Sequence, residues 1–352
     1  MPITNHSSHK GGLSLYFSVL EGPTQNSPQD IWVAKRSSVS DNWGTPQRLG
    51  PEINTPATEG QPFVTVNGHW MYFNSNRKTP DANGVLPFGG NDIYVSHRQN
   101  KREDFGPGGW QEAVNVGPGV NTTSGEAAPF VFEDEMTGVT TLYFQSGRPG
   151  MGGVDIYAST RQPEGTFGPA QLVLEVSSPY NDQHPSISRD GLQMYFASDR
   201  PGSTPNPDSG ISGPPGQPSV DIWVSTRAST SDPWGTPANL NAVNQALNGP
   251  VINSPFSDGS PSLSFDGTEL YFHSAQAAGV EQNHALGRKK FQNRGGQIPQ
   301  QNALAPSPPA GSLIVSRISP KTLSLWLARG RRSDYSRTQR LPGFSAWLAW
   351  QL

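Results

Sequence analysis

One recurring order of short segments runs through the first 275 residues and restricts the fold more than any other feature. An apolar-aromatic segment appears as Leu15-Tyr16-Phe17, Met71-Tyr72-Phe73, Leu142-Tyr143-Phe144, Met194-Tyr195-Phe196 and Leu270-Tyr271-Phe272. A segment opening with aspartate follows it: Asp30-Ile31-Trp32-Val33, Asp92-Ile93-Tyr94-Val95, Asp155-Ile156-Tyr157-Ala158 and Asp221-Ile222-Trp223-Val224. Three of these continue into Ser-x-Arg, ending at Arg98, Arg161 and Arg227. A Trp- or Phe-containing turn and a short third run come next, and then a proline opens a fourth, at Pro62, Pro129, Pro185 and Pro261.

Between that proline run and the next Tyr-Phe segment stands Asn67-Gly68, Thr137-Gly138, Asp190-Gly191 or Asp266-Gly267. Asn-Gly and Asp-Gly suit a two-residue hairpin, whose central positions both take positive φ. Four short strands per unit of about 50–75 residues, with aromatics at fixed offsets, is the signature of a propeller blade. The pattern of Asp-Gly, Leu-Tyr-Phe, Ser-x-Arg-x-Gly and Asp-Ile-Tyr, matched best by Asp190-Gly191 through Tyr195-Phe196-Ala197-Ser198-Asp199-Arg200, resembles the WD40-like β-propeller repeat family, of the kind found in TolB. The likeness runs over residues 13–275 and is to bacterial envelope or secreted proteins built from this repeat. It implies a propeller with a protein-binding role and a periplasmic or secreted location, although the start of the chain shows no signal peptide.

The expected fold class is therefore all-β, a propeller of four-stranded blades, five in number with six as the alternative. Residues 1–12 are expected to be disordered or truncated, 13–280 to form the propeller, and 281–352 a basic tail of low order. Unit one begins at its second strand and unit five stops after its second. Ser312–Arg317 and Leu323–Leu327 are candidates for the missing strands.

Composition agrees with this picture. Gly 39 and Pro 34 make about a fifth of the 352 residues, short of the ~25–30% of low-complexity chains. Cys 0 excludes disulfides, thiolate zinc sites and cysteine nucleophiles. The net charge of −3 hides an asymmetry: residues 281–352 hold 11 Lys and Arg against two acids, leaving 14 basic and 26 acidic side chains in the body. An acidic body repels nucleic acid, so no nucleic-acid partner is expected. No apolar run is long enough to span a bilayer.

Charge recurs with the repeat. An acid precedes each proline by three, at Glu59, Glu126, Asp182 and Asp258, and an arginine follows three of the Tyr-Phe segments by four, at Arg77, Arg148 and Arg200. With Asp92, Asp155 and Asp221 these gather at one corner of each middle blade. Units one and five carry Glu21 and Gln276 in place of the arginine. One reading is structural: an arginine fork bridging two carboxylates and pinning three strand ends. The other is a carboxylate ring near the channel mouth that binds a cation or a basic peptide.

Glycoside hydrolysis needs two carboxylates facing each other, ~5–9.5 Å apart according to mechanism. The non-periodic acids Glu133, Asp134 and Glu135 are candidates, but they fall at a hairpin turn away from that face. There is no Gly-x-Ser-x-Gly elbow, no His-Glu-x-x-His and no phosphate-binding loop. His184, just before Pro185, stands closest to the channel, and the loop 201–219 shares the corner face.

The expectation is a monomeric, non-catalytic propeller, a protein-binding or scaffold module taking a protein or peptide on its acidic loop face. No catalytic residue, metal or cofactor is expected. The alternative is a carbohydrate-active propeller, hydrolase or lectin, using channel carboxylates.

Overall fold

The computed structural model describes residues 3–8, 12–22, 27–205, 219–247, 251–264, 267, 269–274 and 285–290. They form five antiparallel sheets in chain order. The first contains β1 (Ile3–Ser8), β2 (Ser14–Leu20), β3 (Gln29–Lys35) and β4 (Gln47–Arg48). The second contains β5 (Glu59–Val64), β6 (Trp70–Ser75), β7 (Asp92–His97) and β8 (Val114–Asn115). The third contains β9 (Glu126–Glu133), β10 (Thr140–Ser146), β11 (Asp155–Thr160) and β12 (Gln171–Leu172). The fourth contains β13 (Asp182–Ile187), β14 (Gln193–Ser198), β15 (Asp221–Thr226) and β16 (Ala238–Asn239), and is followed by the short helix α1 (Leu240–Ala246). The last has three strands, β17 (Asp258–Leu263), β18 (Glu269–Ser274) and β19 (Ala285–Lys290).

The first strands touch one another in turn around an axis, β1 to β5, β5 to β9, β9 to β13, β13 to β17, and β17 back to β1. This is an all-β propeller with four complete four-stranded blades. The expected five such blades are therefore found as four, the last sheet being one strand short among the described residues. Two strands are found where the repeat pattern did not locate them. Blade one has its own first strand, β1, inside the stretch expected to lack structure, and the third strand of the last sheet is β19 rather than a segment near Ser312. Residues 312–327 and most of the loop 201–219 lie outside the described residues.

Strand alternation explains why the Tyr-Phe segments are buried on both faces. Tyr16 packs with Ile31, Met71 and Phe73 between blades one and two, whereas its neighbours Leu15 and Phe17 pack with Tyr271 against the last sheet. Met71 and Phe73 share that first interface while Tyr72 turns to blade three. Each blade is thus covered by a neighbour on either side, and the Tyr271 contact closes the ring by packing. Tyr94 and Trp223 belong to these cores as expected, and Trp32 packs against one of them.

The hairpins differ from the two-residue turn their sequence suggests. Five residues, Thr65 to His69, separate β5 from β6, with Gly68 N donating to Thr65 O at 2.8 Å. Only the glycine is left-handed, at φ 78° for Gly68 and 73° for Gly191, while Asn67 and Asp190 keep negative φ. Asn67 uses its side chain instead, its Oδ1 accepting from His69 N at 2.9 Å and from the Thr65 hydroxyl at 2.8 Å. These are longer loops closed by a left-handed glycine.

Candidate functional site

The recurrent charges do converge. Register puts Glu59 and Asp92 on either side of Ser75, Glu126 and Asp155 beside Ser146, and Asp182 and Asp221 beside Ser198. Arg77 contacts Glu59 at 3.4 Å, Arg148 contacts Glu126 at 3.0 Å, and Arg200 pairs with Asp182.

The arginine does not bridge two carboxylates, however. Its second interaction is with the backbone of the incoming connection: Arg77 Nη2 donates to Ile53 O at 3.0 Å, Arg148 Nη2 to Val120 O at 2.5 Å, and Arg200 Nη2 to Val176 O at 2.5 Å. Its plane lies over a ring of the third strand, 4.4 Å from Tyr94 for Arg77 and 4.7 Å from Tyr157 for Arg148. The strand-opening aspartates do something separate. Asp92 accepts from Phe88 N and Gly89 N, Asp155 from Met151 N and Gly152 N, and Asp221 from Thr204 N, so each pins the loop before its own strand. Glu59, Glu126, Asp182 and Asp258 are all fully buried. Burial raises the carboxyl pKa of Asp182, opposed by Arg200, and that of Asp221; Asp258, with no arginine against it, is pushed up to about 6.

The non-periodic acids stay apart, at the far end of β9. Asp134 accepts from the Thr230 hydroxyl at 2.8 Å, and Glu135 pairs with Arg189 at 2.9 Å. No group of three or more potential metal ligands occurs among the described residues.

A cavity of about 380 Å³ lies at the channel mouth. Its shape comes from a bulge repeated in the first strands. Gln61, Ala128, His184 and Ser260, each just before a proline, are left-handed at φ 52°, 50°, 55° and 50°. Each falls where pairing with the second strand slips by one residue. A bulge re-aims its side chain; here Gln61, His184 and Ser260 become walls of the cavity. The prolines behind them, with Phe63 and Phe130 packed 4.6 Å apart, line a second, smaller cavity that Gln61, His184 and Ser260 also border.

Six of the residues lining the larger cavity are amides, including Gln61, Asn74 and Gln145, and none is charged. Hydrogen bonds cross the axis among them. Gln61 N donates to Ser18 Oγ of blade one at 3.0 Å, and Gln61 Oε1 accepts from Ala128 N of blade three at 2.6 Å. Gln61 Nε2 meets His184 Nε2 of blade four at 2.7 Å, and His184 N donates to Gln145 Oε1 at 3.1 Å. Asn74 Oδ1, His184 Nδ1 and Ser260 Oγ are buried with no hydrogen-bond partner among the described residues. Burial holds the His184 imidazole pKa down at about 4, so the ring is neutral at pH 7.

Of these residues the sequence pointed only to His184. The available signal was positional, since Gln61, His184 and Ser260 each stand two places after a strand-start acid and directly before a proline.

No family model matches this chain, and no curated protein is matched. Solved structures are. An α-L-arabinofuranosidase from Lactobacillus brevis is 16% identical over 86% of this chain and 95% of that one, with a TM-score of 0.53. A thermostable family-43 glycoside hydrolase is 13% identical over 87% and 95%, also at 0.53. An exo-1,5-α-L-arabinanase from a bovine ruminal metagenomic library is 16% identical over 83% and 94%, again at 0.53.

At these identities the likeness shows the propeller fold. The WD40-like repeat family is not confirmed, since no family model matches the chain. The expectation of a non-catalytic protein-binding scaffold is overturned, because propellers that this chain resembles, the arabinofuranosidase, the family-43 glycoside hydrolase and the arabinanase among them, are carbohydrate-active enzymes. The comparisons favour the alternative, although the carboxylates it was to use are missing from the described channel wall.

Proposed function

We propose that this chain is a carbohydrate-active propeller that takes a neutral saccharide into the mouth of its central channel. The observation that carries this reading is the wall itself: six amides, two imidazoles and two hydroxyl side chains around about 380 Å³, with no charged group. Amides and hydroxyls supply both donors and acceptors to sugar hydroxyls, and an uncharged wall offers no counter-ion to an anionic ligand. Buried polar atoms without a partner are costly to a fold unless something completes them. The likeness in fold to arabinan- and xylan-acting enzymes supports the same substrate class.

Hydrolysis would also require carboxylates. The best suited to donate a proton is Asp258, two positions before the wall residue Ser260 on β17, which keeps its proton up to about pH 6.

The test is calorimetric titration with neutral arabino- and xylo-oligosaccharides and with a uronic-acid oligosaccharide as control, followed by a reducing-end assay. Binding of the neutral sugars, lost in Asn74→Leu, is expected. No heat from any neutral sugar would overturn the reading. Release of reducing ends that disappears in Asp258→Asn would add hydrolysis to it.

A further inference from the structure

The hydrogen bonds across the channel determine which nitrogen of His184 carries its proton. A backbone N–H can only donate, so the Gln61 atom that meets Ala128 N at 2.6 Å is the carbonyl oxygen Oε1. The amide orientation of Gln61 follows, and its other terminal atom, 2.7 Å from His184 Nε2, is the NH2 group. An amide NH2 donates and has no free lone pair to accept with. His184 Nε2 must therefore be the acceptor, which leaves the proton of the neutral ring on Nδ1.

That Nδ1 is buried and meets no acceptor among the described residues, although its ring borders the cavity. Gln61 is in turn anchored from two further blades, through Ser18 and Ala128, so the orientation of the imidazole is imposed by the ring as a whole.

We propose that His184, locked by Gln61 as its Nδ1–H tautomer, is a specificity-determining donor of the channel site, directed at a hydroxyl or ring oxygen of the entering saccharide. The ligand class rests on the function proposed above; the tautomer does not. The donor is complemented by Asn74 Oδ1 and Ser260 Oγ, two polar atoms in the same wall with no partner of their own. A saccharide offers lone pairs to the first and hydroxyl protons to the others. A ligand with only donors at that position is rejected, because it leaves the imidazole N–H unmet.

Protein labelled with 15N at histidine, studied by long-range nitrogen–carbon-bound-proton correlation at pH 7, decides the tautomer directly. The expected pattern for His184 is a protonated Nδ1 and a bare Nε2, assigned by its disappearance in His184→Gln. A proton on Nε2 instead, or on both nitrogens, would overturn the proposal.

Addition of the oligosaccharide bound in calorimetry is expected to shift the Nδ1 resonance. His184→Gln keeps an acceptor where Nε2 stood and removes the Nδ1 donor; Gln61, itself at φ 52°, shows that glutamine tolerates this bulge. It is expected to weaken saccharide binding about tenfold. His184→Asn, which retains a donor near the Nδ1 position, is expected to stay within about threefold of the parent. Unchanged affinity in His184→Gln would overturn the donor role. If the parent binds no saccharide, the function proposed above fails, and the nitrogen spectrum still decides the tautomer.

Discussion

Blades two to four and the last sheet share one corner design, and they differ by one arginine. Glu59, Glu126 and Asp182 start their blades beneath the guanidinium of Arg77, Arg148 or Arg200. Asp258 occupies the same register, opposite Ser274 as Asp182 is opposite Ser198, and is just as buried. It receives hydrogen bonds from Ser254 N at 2.5 Å and the Ser254 hydroxyl at 2.8 Å, but pairs with no cation among the described residues. The contrast with Asp182 separates two contributions. Desolvation raises both pKa values; Arg200 opposes the rise at Asp182, and nothing equivalent does so at Asp258, which is left near 6. The arginine offsets part of the desolvation at Asp182, whereas Asp258 keeps its proton up to about pH 6.

The largest effect should come from making a middle corner resemble the last one. Arg77→Leu leaves Glu59 buried without its cation and removes the hydrogen bond to Ile53 O. Loss of one partner of a buried pair costs about 3–5 kcal/mol. Urea unfolding at pH 7 measures it, and a loss below about 1 kcal/mol would mean that the arginine is dispensable at these corners.

The converse substitution sharpens the comparison. The ordinary carboxyl pKa of Asp258 is 3.8 and its folded value about 6. Below pH 4 it is protonated in both states and contributes nothing. Between 4 and 6 the unfolded chain ionises first, so the native state binds the extra proton and stability falls as pH rises. Above 6 the full penalty remains, about 3 kcal/mol. Asp258→Asn should therefore raise stability by up to that amount at pH 7.5 and by nothing at pH 4. His184 has the opposite slope in the same window, since its depressed pKa makes stability fall as pH drops from 6.5 toward 4. The parent should look nearly flat there, and Asp258→Asn should unmask the histidine slope. A parent profile with a steep fall above pH 4, unchanged in the variant, would assign the titration to another group.

The corners were legible because their parts are spaced by the repeat: an acid three before proline, an arginine four after Tyr-Phe. What each arginine holds was not, because its second acceptor is a main-chain carbonyl, of Ile53, Val120 or Val176, which no side-chain identity announces. The channel wall was hidden for a related reason. The bulge is a backbone feature filled by Gln61, Ala128, His184 and Ser260, four residues with no chemistry in common. The strands the repeat missed, Ile3–Ser8 and Ala285–Lys290, carry neither the proline nor the Asp-Ile marker. Their pairing depends on the neighbouring strand, not on a pattern of their own.

A smaller effect tests whether the arginine is the whole difference between the regions. Asn54, Asn121 and Asn253 each lie in a connection between blades and imitate a strand. The side-chain oxygen accepts from the backbone N of Ile31, Ile93 or Ile222 at 2.8 Å, and the side-chain nitrogen donates to the carbonyl of that same isoleucine at 2.9 Å. Asn253 leads into the last sheet and is as buried as Asn54 and Asn121. Substitution by alanine leaves one buried N–H unmet and takes one donor from the carbonyl, which at Ile31 keeps Leu49 N at 3.0 Å, for a cost of about 2 kcal/mol. If the last sheet departs from the others only at its corner, Asn253→Ala and Asn54→Ala should cost the same within about 0.5 kcal/mol in urea unfolding. A much smaller cost for Asn253→Ala would mean that the last sheet opens independently of the ring. The high pKa of Asp258 would then reflect a loosely held edge rather than a missing arginine.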